Sequence, residues 1–256
     1  MSMTTSLIDD LSGIARSAGQ IALDARTRGL REWIKHGNEL VTSAEMQIHG
    51  HVAAELSRLL PGVSLLTEES QEHAIPGDRF IVVDEIDGTA PFAAGADTWG
   101  VMIALIEDEP TSAVIHLPQK NVTITAQRQQ GCWIDGRRVS SRFDGTLRDA
   151  VAGADIAATL DDPGWLLIRK IAGRARALRC FGCAAAGALE HLEGITQLYV
   201  NPAGGKIWDF APIALAVMEA GGTASTADGA PLQWNRLEMS FLACATTALA
   251  DEVLAL

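Results

Sequence analysis

The sequence predicts an α/β protein, and three observations support this class. Hydrophobic residues make up 48% of the 256-residue chain but aromatic residues only 5%, so Ala, Leu, Val and Ile must build the core, as is ordinary for α/β enzymes. Short apolar runs rich in β-branched residues, typical of buried strands, recur through the first half. In the second half, such runs alternate with longer apolar segments of helical length.

The elements can be placed in order from these runs and from the turn residues between them. Helices are expected at about residues 4–27 and 43–60, and Pro61-Gly62 ends the second. Strands are expected next at 63–67, 79–84, 99–107 and 111–117, followed by a hairpin from 121–127 and 131–139. The remaining elements are expected to be a helix near 163–173, a strand near 177–181, a helix near 184–193, a strand near 196–200, a helix that starts at Asp209, strands at 222–226 and 240–245, and a short C-terminal helix.

The length of the chain fits one large domain or two small lobes that share a core. We expect a single domain over 1–256, with lobes that cover approximately 1–145 and 146–256. Asp144 to Leu147 suits the junction, although its composition is not that of a flexible linker.

The charge of the chain restricts the kinds of ligand. The formal net charge is −12 and no basic run occurs, which argues against nucleic acid as a partner. The same negative charge would repel a phosphorylated substrate unless cations neutralise the binding site. The sequence shows no secretory signal core and no membrane-length apolar run, so we expect a cytoplasmic protein without a membrane partner.

The cysteines and histidines give weaker signals. The four cysteines show no disulfide framework, and Cys180 and Cys183 form a Cys-x-x-Cys without the second pair that a zinc site needs. Their flanks resemble a strand running into a buried helix, which disfavours a redox or metal role. His49 and His51 fall on a predicted helix without a matching partner, so a surface position is expected for both.

The segment Ile81 to Thr89 places two carboxylates where a strand ends. An apolar, β-branched run leads into Asp84, and Asp87 follows after the chain has begun to turn. Gly88 permits a tight turn and a close backbone approach to a ligand, and the following residues predict a helix with Pro91 in its first turn. Carboxylates beside a helix N-terminus can hold hard divalent cations while free N–H groups hold a phosphate. This combination is the chemistry of metal-assisted hydrolysis of phosphate esters.

Two further acidic positions lie at the ends of predicted elements. Glu68 and Glu69 close the apolar run Val63 to Thr67. Asp209 precedes an apolar segment with Pro212 in its first turn and glycine just past its end, which predicts a buried helix that starts at Asp209. Taken alone, an acidic pair is usually solvated, Asp-Gly is a turn signal, and an aspartate before a helix is a cap. Because all of them adjoin apolar segments at element ends, a shared cation site is favoured.

These motifs resemble the inositol monophosphatase family of magnesium-dependent, lithium-sensitive phosphatases. The first family signature is a Glu-Glu pair followed by Asp-x-Ile-Asp-Gly-Thr, and it matches Glu68-Glu69 and Asp84 to Thr89. The second is Trp-Asp followed by a small-residue helix that ends in Glu-Ala-Gly-Gly, and it matches Trp208-Asp209 and residues 219–222. The similarity extends upstream to Lys35 and to Glu39-Leu40-Val41-Thr42. The resemblance covers nearly the whole chain and implies layers of helices and sheets in αβαβα order.

The resemblance also implies a metal site with two or three Mg²⁺ ions. Glu68, Asp84 and the Ile86 carbonyl would hold the first ion. Asp84, Asp87 and Asp209 would hold the second, so that Asp84 bridges the two. Every proposed ligand is a hard oxygen, which suits magnesium.

The implied reaction is hydrolysis of a phosphate monoester by water. Glu68 with Thr89 would orient and deprotonate the attacking water, and the N–H groups of Gly88 and Thr89 would bind the phosphate. No covalent phospho-enzyme is needed. The expected substrate is a small phosphorylated metabolite similar to inositol monophosphate, and the expected assembly is a homodimer.

Several residues depart from the family pattern. Glu85 stands where proline is usual, Ala90-Pro91 replaces Thr-Asn, and Glu39 and Glu45 stand where aspartates are typical. Because Glu85 has no ligand role in the pattern, we expect Glu85→Pro to be tolerated or to improve activity. Lys206 lies in the segment where inositol-specific members carry a carboxylate, and at the mouth of the site it would favour a second anionic group on the substrate.

Two alternatives therefore stand beside the inositol monophosphate assignment. The first is a phosphatase of the same fold that acts on histidinol phosphate, a sugar phosphate or a 3′-phosphonucleotide, which Lys206 and the missing carboxylate favour. The second is a binding or regulatory protein without efficient turnover, which Glu85 and Ala90-Pro91 suggest. The second alternative is disfavoured because the chain retains Glu68, Asp84, Asp87, Thr89 and Asp209.

Overall fold

Two large β-sheets, a short two-stranded sheet and seven helices form the fold of the computed structural model, which describes residues 6–34, 40–70, 73–156 and 160–256. The helices in that part of the chain are α1 (Leu7–Arg28), α2 (Ser43–Leu59), α3 (Thr89–Ala93), α4 (Asp162–Ala172), α5 (Ala184–Leu192), α6 (Ile207–Glu219) and α7 (Thr247–Leu254). The strands are β1 (Glu32–Ile34), β2 (Leu40–Thr42), β3 (Ser64–Thr67), β4 (Arg79–Asp87), β5 (Gly100–Glu107), β6 (Glu109–Leu117), β7 (Val122–Gln127), β8 (Gly131–Ile134), β9 (Arg137–Val139), β10 (Val151–Ala154), β11 (Ala177–Cys180), β12 (Leu198–Lys206), β13 (Thr223–Ser225) and β14 (Glu238–Cys244).

The larger sheet has seven strands in the order β3-β4-β5-β6-β7-β8-β9. Strands β3 and β4 are parallel, and every later neighbour in this sheet is antiparallel. The smaller sheet has the order β11-β10-β12-β14-β13, in which β10 runs parallel to both β11 and β12. A short antiparallel pair, β1 with β2, precedes α2.

The layers follow the αβαβα order that the resemblance implies. Helices α1 and α2 cover one face of the larger sheet, where Ile81 and Val83 of β4 point. The other face, with Phe80 and Val82, packs against α5 and α6, which also contact the smaller sheet through Phe241. Helices α4 and α7 cover the outer face of the smaller sheet. The predicted fold class is confirmed.

Strand β4 illustrates why these layers form. Side chains alternate between the two faces of a strand, so the run Phe80-Ile81-Val82-Val83 supplies two residues to each layer. Val82 and Val83 are both 0% exposed, and complete burial of such a side chain stabilises the fold by ~1.5–3 kcal/mol. Both faces of β4 are therefore anchored, and the residues at its end are held firmly.

The structure also corrects the sequence-based assignment of elements. Strand β10 was not predicted because Val151-Ala152-Gly153-Ala154 holds a single β-branched residue. Gly153 lets this strand pack closely against Phe181, since a Cβ at position 153 would lie 3.0 Å from a ring carbon of Phe181. The short β1 and β2 were also missed. Helix α6 begins at Ile207, two residues earlier than predicted, so Pro212 lies inside the helix and not in its first turn.

The larger sheet uses residues 64–139 and the smaller one residues 151–244, and the single domain with lobes meeting near residue 145 remains a prediction. None of the helices in the described ranges combines the length and apolar character that crossing a membrane requires.

Candidate active site

The predicted acidic residues line one cavity. Its volume is about 240 Å³. Its walls are formed by Glu68, Asp84, Ile86, Asp87, Gly88, Thr89, Asp155, Ile156, Gly182, Cys183, Ala184, Asn201 and Asp209. Every residue predicted for the site from the sequence is therefore present at this cavity, with the exception of Lys206.

A bulge at the end of β4 brings Asp84 and Asp87 to the same side. Asp84 pairs with Met102 of β5, and Asp87 pairs with Gly100, so three steps along β4 match two along β5. In a regular strand, residues three apart point to opposite faces. The extra residue removes this difference, and both carboxylates reach the cavity while Ile86 is buried among α1 and α2.

Glu68 lies at the end of the neighbouring strand β3. It directly follows β3, which is parallel to β4, and its N–H donates to Val83 O at 3.2 Å. Because parallel strands end at the same edge of a sheet, Glu68 and Asp84 meet there. Glu68 and Asp84, both predicted to lie at strand ends, therefore line the same cavity.

Gly88 makes the turn from β4 into α3. Its φ is 83°, in the left-handed region that favours glycine. A Cβ at this position would lie 3.0 Å from Thr98 O and 3.0 Å from Cys183 Cβ, so a larger residue is excluded by space as well as by conformation. Pro91 lies in the first turn of α3, as predicted.

Asp87 is held by the N-terminus of α5. Its Oδ1 accepts from Ala184 N at 3.0 Å, and its Oδ2 accepts from Ala185 N at 2.5 Å and from Cys183 Sγ at 2.9 Å. Burial raises the pKa of Asp87 from 3.8 to about 6, and these hydrogen bonds oppose the rise. Burial also raises the pKa of the Cys183 thiol well above its ordinary value, so the thiol is protonated and donates.

Asp209 lies in the first turn of α6. Its Oδ2 accepts from Lys206 N at 2.7 Å, which satisfies one of the free N–H groups at the helix start. Burial, and then the charge of Asp87, raise its pKa from 3.8 to about 7. Asp209 is thus both a helix-capping residue and a wall of the cavity.

The electrostatics of the cavity favour a bound cation. Burial and the neighbouring carboxylates raise the pKa values of Glu68 and Asp84 well above their ordinary range. Asp84 is 2% exposed, and its Oδ1 has no hydrogen-bond partner in the part of the chain that the structure describes. Removing such carboxylates from water is unfavourable unless an opposite charge compensates, and an all-oxygen donor set suits Mg²⁺.

The site is not a ready-made ligand cluster. Among the described residues, no three acidic, histidine or cysteine side chains have their donor atoms gathered as closely as in a formed metal site. The carboxylates nevertheless line a shared cavity. The donor chemistry and the free Asp84 Oδ1 fit magnesium.

Thr89 is paired with a carboxylate that the sequence reasoning did not assign to the site. Thr89 Oγ1 donates to Glu45 Oε1 at 2.8 Å and lies 3.1 Å from Ile86 O. Glu45 is 1% exposed, and its other oxygen accepts from Thr42 N in the capping box of α2. The spacing Thr42-x-x-Glu45 is the sequence signature of that box. It predicts that the Glu45 side chain turns back toward the N-terminus of α2.

Asp155 and Asn201 also line the cavity and were not predicted. Asp155 directly follows β10, and its carboxylate accepts from Gly182 N at 2.8 Å and from the Tyr199 hydroxyl. The signal for Asp155 was the same as for Asp84, an acid at the end of a buried strand, but β10 was not recognised. Asn201 belongs to β12, and its Oδ1 is buried without a hydrogen-bond partner among the described residues.

Glu85 points away from the cavity, toward α2. It is 1% exposed, and its Oε1 lies 2.8 Å from His49 Nδ1. Burial raises the pKa of Glu85, and the hydrogen bond from His49 opposes the rise. His49 and His51 are half-buried, and His51 Nε2 lies 2.7 Å from Ser17 Oγ, so both histidines have side-chain partners that the sequence did not predict.

Lys206 is directed elsewhere. Its ammonium forms an ion pair with Glu238 on the neighbouring strand β14, and it is not among the residues that line the cavity. The geometry therefore does not support the predicted substrate contact of Lys206. Lys35 and Glu39, which contributed to the resemblance, lie outside the described residues.

Comparison with known proteins agrees with this geometry. The sequence profile described as the Inositol monophosphatase family matches residues 4–256. The chain is 26% identical over 250 residues to the 3′(2′),5′-bisphosphate nucleotidase CysQ of Aggregatibacter actinomycetemcomitans, covering 92% of this chain and 90% of the relative. It is 27% identical over 196 residues to a fructose-1,6-bisphosphatase/inositol-1-monophosphatase of Thermotoga maritima, covering 75% and 73%.

Solved structures show the same fold. The extragenic suppressor protein suhB of Bartonella henselae superposes with a TM-score of 0.89 at 23% identity, covering 98% of both chains. An IMPase/NADP phosphatase complexed with Mg²⁺ and phosphate superposes with a TM-score of 0.81 at 20% identity, covering 92% of this chain and 90% of the other. The profile match over nearly the whole sequence shows that the chain belongs to the inositol monophosphatase family, whose members are Mg²⁺-dependent phosphatases.

Proposed function

We propose that this phosphatase hydrolyses the phosphate monoester of a small metabolite at the carboxylate-lined cavity, with Mg²⁺ bound there. The observation that carries the proposal is the group of buried acids, Glu68, Asp84, Asp87 and Asp209, whose pKa values are all raised. Burial, and then the charges of neighbouring carboxylates, disfavour the ionised form of these acids, and bound divalent cations would relieve both effects. Glu68, Asp84 and the Ile86 carbonyl would hold one ion, and Asp84, Asp87 and Asp209 a second.

Bound Mg²⁺ would neutralise the phosphate oxygens and lower the pKa of a water molecule, so that the water is more easily deprotonated. The chain supplies the remaining functions. Thr89 Oγ1 already donates to Glu45, so its oxygen can accept a proton from the attacking water while its own proton passes toward Glu45. Glu68 faces the same cavity and orients that water. The N–H groups of Gly88 and Thr89, two residues that line the cavity at the turn into α3, would bind the phosphate.

The residues that line the cavity favour one kind of leaving group. In the ranges that the structure describes, no lysine or arginine is among its walls. A second phosphate on the substrate would need a cation there, whereas Asn201 and backbone groups can bind hydroxyls. We therefore favour a monophosphate with an uncharged polyol or similar leaving group, such as inositol monophosphate.

A second candidate substrate class is the phosphonucleotides, because the similar protein CysQ is a bisphosphate nucleotidase. Purified protein should be tested for phosphate release from inositol monophosphate, histidinol phosphate, sugar phosphates and 3′-phosphonucleotides. Each reaction should be run with Mg²⁺, with excess chelator, and with Li⁺ added to Mg²⁺. Activity that chelator abolishes and Mg²⁺ restores supports the proposal, and undiminished hydrolysis in chelator contradicts it.

A further inference from the structure

The thiol of Cys183 contacts one of the proposed metal-binding carboxylates. Cys183 is 2% exposed and is the N-cap residue of α5. Its Sγ donates to Asp87 Oδ2 at 2.9 Å and accepts from Ala186 N at 3.3 Å. One side chain therefore starts the helix and fixes the carboxylate at the same time.

The hydrogen bonds of Asp87 leave one acceptor position open. A carboxylate offers about four lone-pair positions, two on each oxygen. Oδ2 receives two donors, Cys183 Sγ and Ala185 N, while Oδ1 receives only Ala184 N. The open position is therefore on Oδ1. The three donors together determine both the orientation of the carboxylate and the oxygen that it can offer.

Two neighbours hold Cys183 in place. The Asp155 carboxylate accepts from Gly182 N at 2.8 Å, which fixes the turn directly before Cys183. On the other side, Gly88 allows close packing, since a Cβ there would lie 3.0 Å from Cys183 Cβ and 3.4 Å from its Sγ. The thiol is therefore held between the turn at Gly88 and the turn before α5, and it has little freedom to leave Asp87.

We propose that Cys183 is a positioning residue that orients Asp87 for cation binding. The inference rests on the proposed function, because the orientation of Asp87 matters only if Asp87 holds a cation. Outer-shell hydrogen bonds of this kind fix the direction and basicity of metal ligands, and their loss weakens metal binding by ~10–100-fold. This role accounts for Cys183 of the Cys-x-x-Cys segment and requires no contribution from Cys180, whose side chain is exposed.

The test compares Cys183→Ala, which removes the donor, with Cys183→Ser, which keeps a donor and a helix cap. Mg²⁺ binding to the substrate-free protein is measured by calorimetry, and kcat and the Mg²⁺ dependence of activity are measured separately. We expect about tenfold weaker Mg²⁺ binding for Cys183→Ala, with most of kcat recovered at saturating Mg²⁺. Cys183→Ser should bind Mg²⁺ within about threefold of the unchanged protein, since a hydroxyl also donates.

Two controls separate positioning from helix capping and from general thiol effects. Thr246 caps α7 in the same way, accepting from Leu249 N at 3.3 Å, so Thr246→Ala should lower the melting temperature without changing Mg²⁺ binding. Cys180→Ala should leave Mg²⁺ binding unchanged. If Cys183→Ala does not fold, Cys183→Gly replaces it, because glycine is accepted as an N-cap and also lacks the donor.

The outcomes distinguish the two proposals. Normal Mg²⁺ binding in both donor-free variants, in an otherwise active protein, overturns the role of Cys183 and leaves the proposed function intact. Equal weakening in Cys183→Ser and Cys183→Ala also overturns it. If the unchanged protein neither binds Mg²⁺ nor releases phosphate from any substrate, the proposed function falls, and the inference falls with it.

Discussion

Thr89 Oγ1 donates a hydrogen bond to Glu45 Oε1 at 2.8 Å, which joins the turn after β4 to the first turn of α2. Burial raises the pKa of Glu45 from 4.5 to about 7, near the range in which a general base is most effective. The sequence reasoning paired Thr89 with Glu68, whereas the structure gives it Glu45 as its hydrogen-bond acceptor. If Thr89 takes a proton from the attacking water, as we propose, Glu45 would be the acceptor for the hydroxyl proton of Thr89.

We expect Glu45→Gln to lower kcat by about a hundredfold or more, because the amide can accept the Thr89 hydrogen bond but cannot take up a proton. Steady-state kinetics at saturating Mg²⁺ measure the effect. Glu55→Gln is the matched control, since Glu55 lies on the same helix but is half-exposed, does not line the cavity and is paired with Arg58. Normal turnover in Glu45→Gln would exclude the relay through this pair.

Asp84→Asn should lower kcat by at least about a thousandfold, or ~4 kcal/mol of transition-state stabilisation. Asp84 would be shared by both cations, so the loss of its charge weakens both sites, while the amide preserves shape and the fold. Asp78→Asn serves as the control, because Asp78 directly precedes β4 and is exposed. Near-normal kcat for Asp84→Asn at saturating Mg²⁺ would refute the bridging role.

The free energy of unfolding of the metal-free protein should fall as the pH rises from about 4 to 7. The pKa values of Asp209 and Glu45 are raised in the fold from 3.8 and 4.5 to about 7, so the folded state binds more protons than the unfolded state in this window. Stability therefore decreases with pH there, by several kcal/mol in total. Urea unfolding in chelator at pH 5 and 7.5 measures the difference.

Mg²⁺ provides the control for that measurement. Added Mg²⁺ should restore stability at pH 7.5 and have a smaller effect at pH 5, where the carboxylates carry protons. A metal-free protein that is more stable at pH 7.5 than at pH 5 would show that the fold does not raise the pKa values of these acids.

Glu85→Pro should destabilise the protein by about 1–3 kcal/mol, contrary to the expectation from the family pattern. The change removes the buried partner of His49, 2.8 Å away, from the interface between β4 and α2. Glu85→Gln keeps a hydrogen-bonding group and should cost less. Chemical denaturation measures both, and an unchanged or higher stability for Glu85→Pro would restore the original expectation.

Lys206→Ala should change KM by less than about twofold for both monophosphate and bisphosphate substrates. The lysine is engaged with Glu238, and a half-exposed ion pair of this kind contributes only ~0–1 kcal/mol. Parallel KM measurements on the two substrate types test this. A selective rise of KM for bisphosphates would show that Lys206 leaves Glu238 when such a substrate binds.

The sequence was most informative where local and long-range preferences agree. The run before Asp84 is apolar and β-branched, and it forms a strand buried on both faces as predicted. The bulge that brings Asp84 and Asp87 together could not be predicted, because it depends on the register with β5. The sequence therefore predicted that Asp84 and Asp87 lie together, but not the backbone bulge that turns both side chains toward the cavity.

The residues that were missed come from contacts distant in sequence. Cys183 meets Asp87 across 96 positions, and Glu45 meets Thr89 across 44. Asp155 follows a strand with only one β-branched residue, so the strand and its terminal acid were overlooked together. Such contacts depend on how the layers pack against one another, and no local sequence pattern predicts that packing.

The central helices α5 and α6 have consequences for how the protein assembles. Their side chains are buried among both sheets, and their first turns hold Asp87 and Asp209. Neither helix can be shielded from water until the strands on both sides are in place. Loss of either sheet would expose α5 and α6 and release two of the four acids at once. Cation binding should therefore be a property of the completely folded chain, and bound Mg²⁺ should make its unfolding more cooperative.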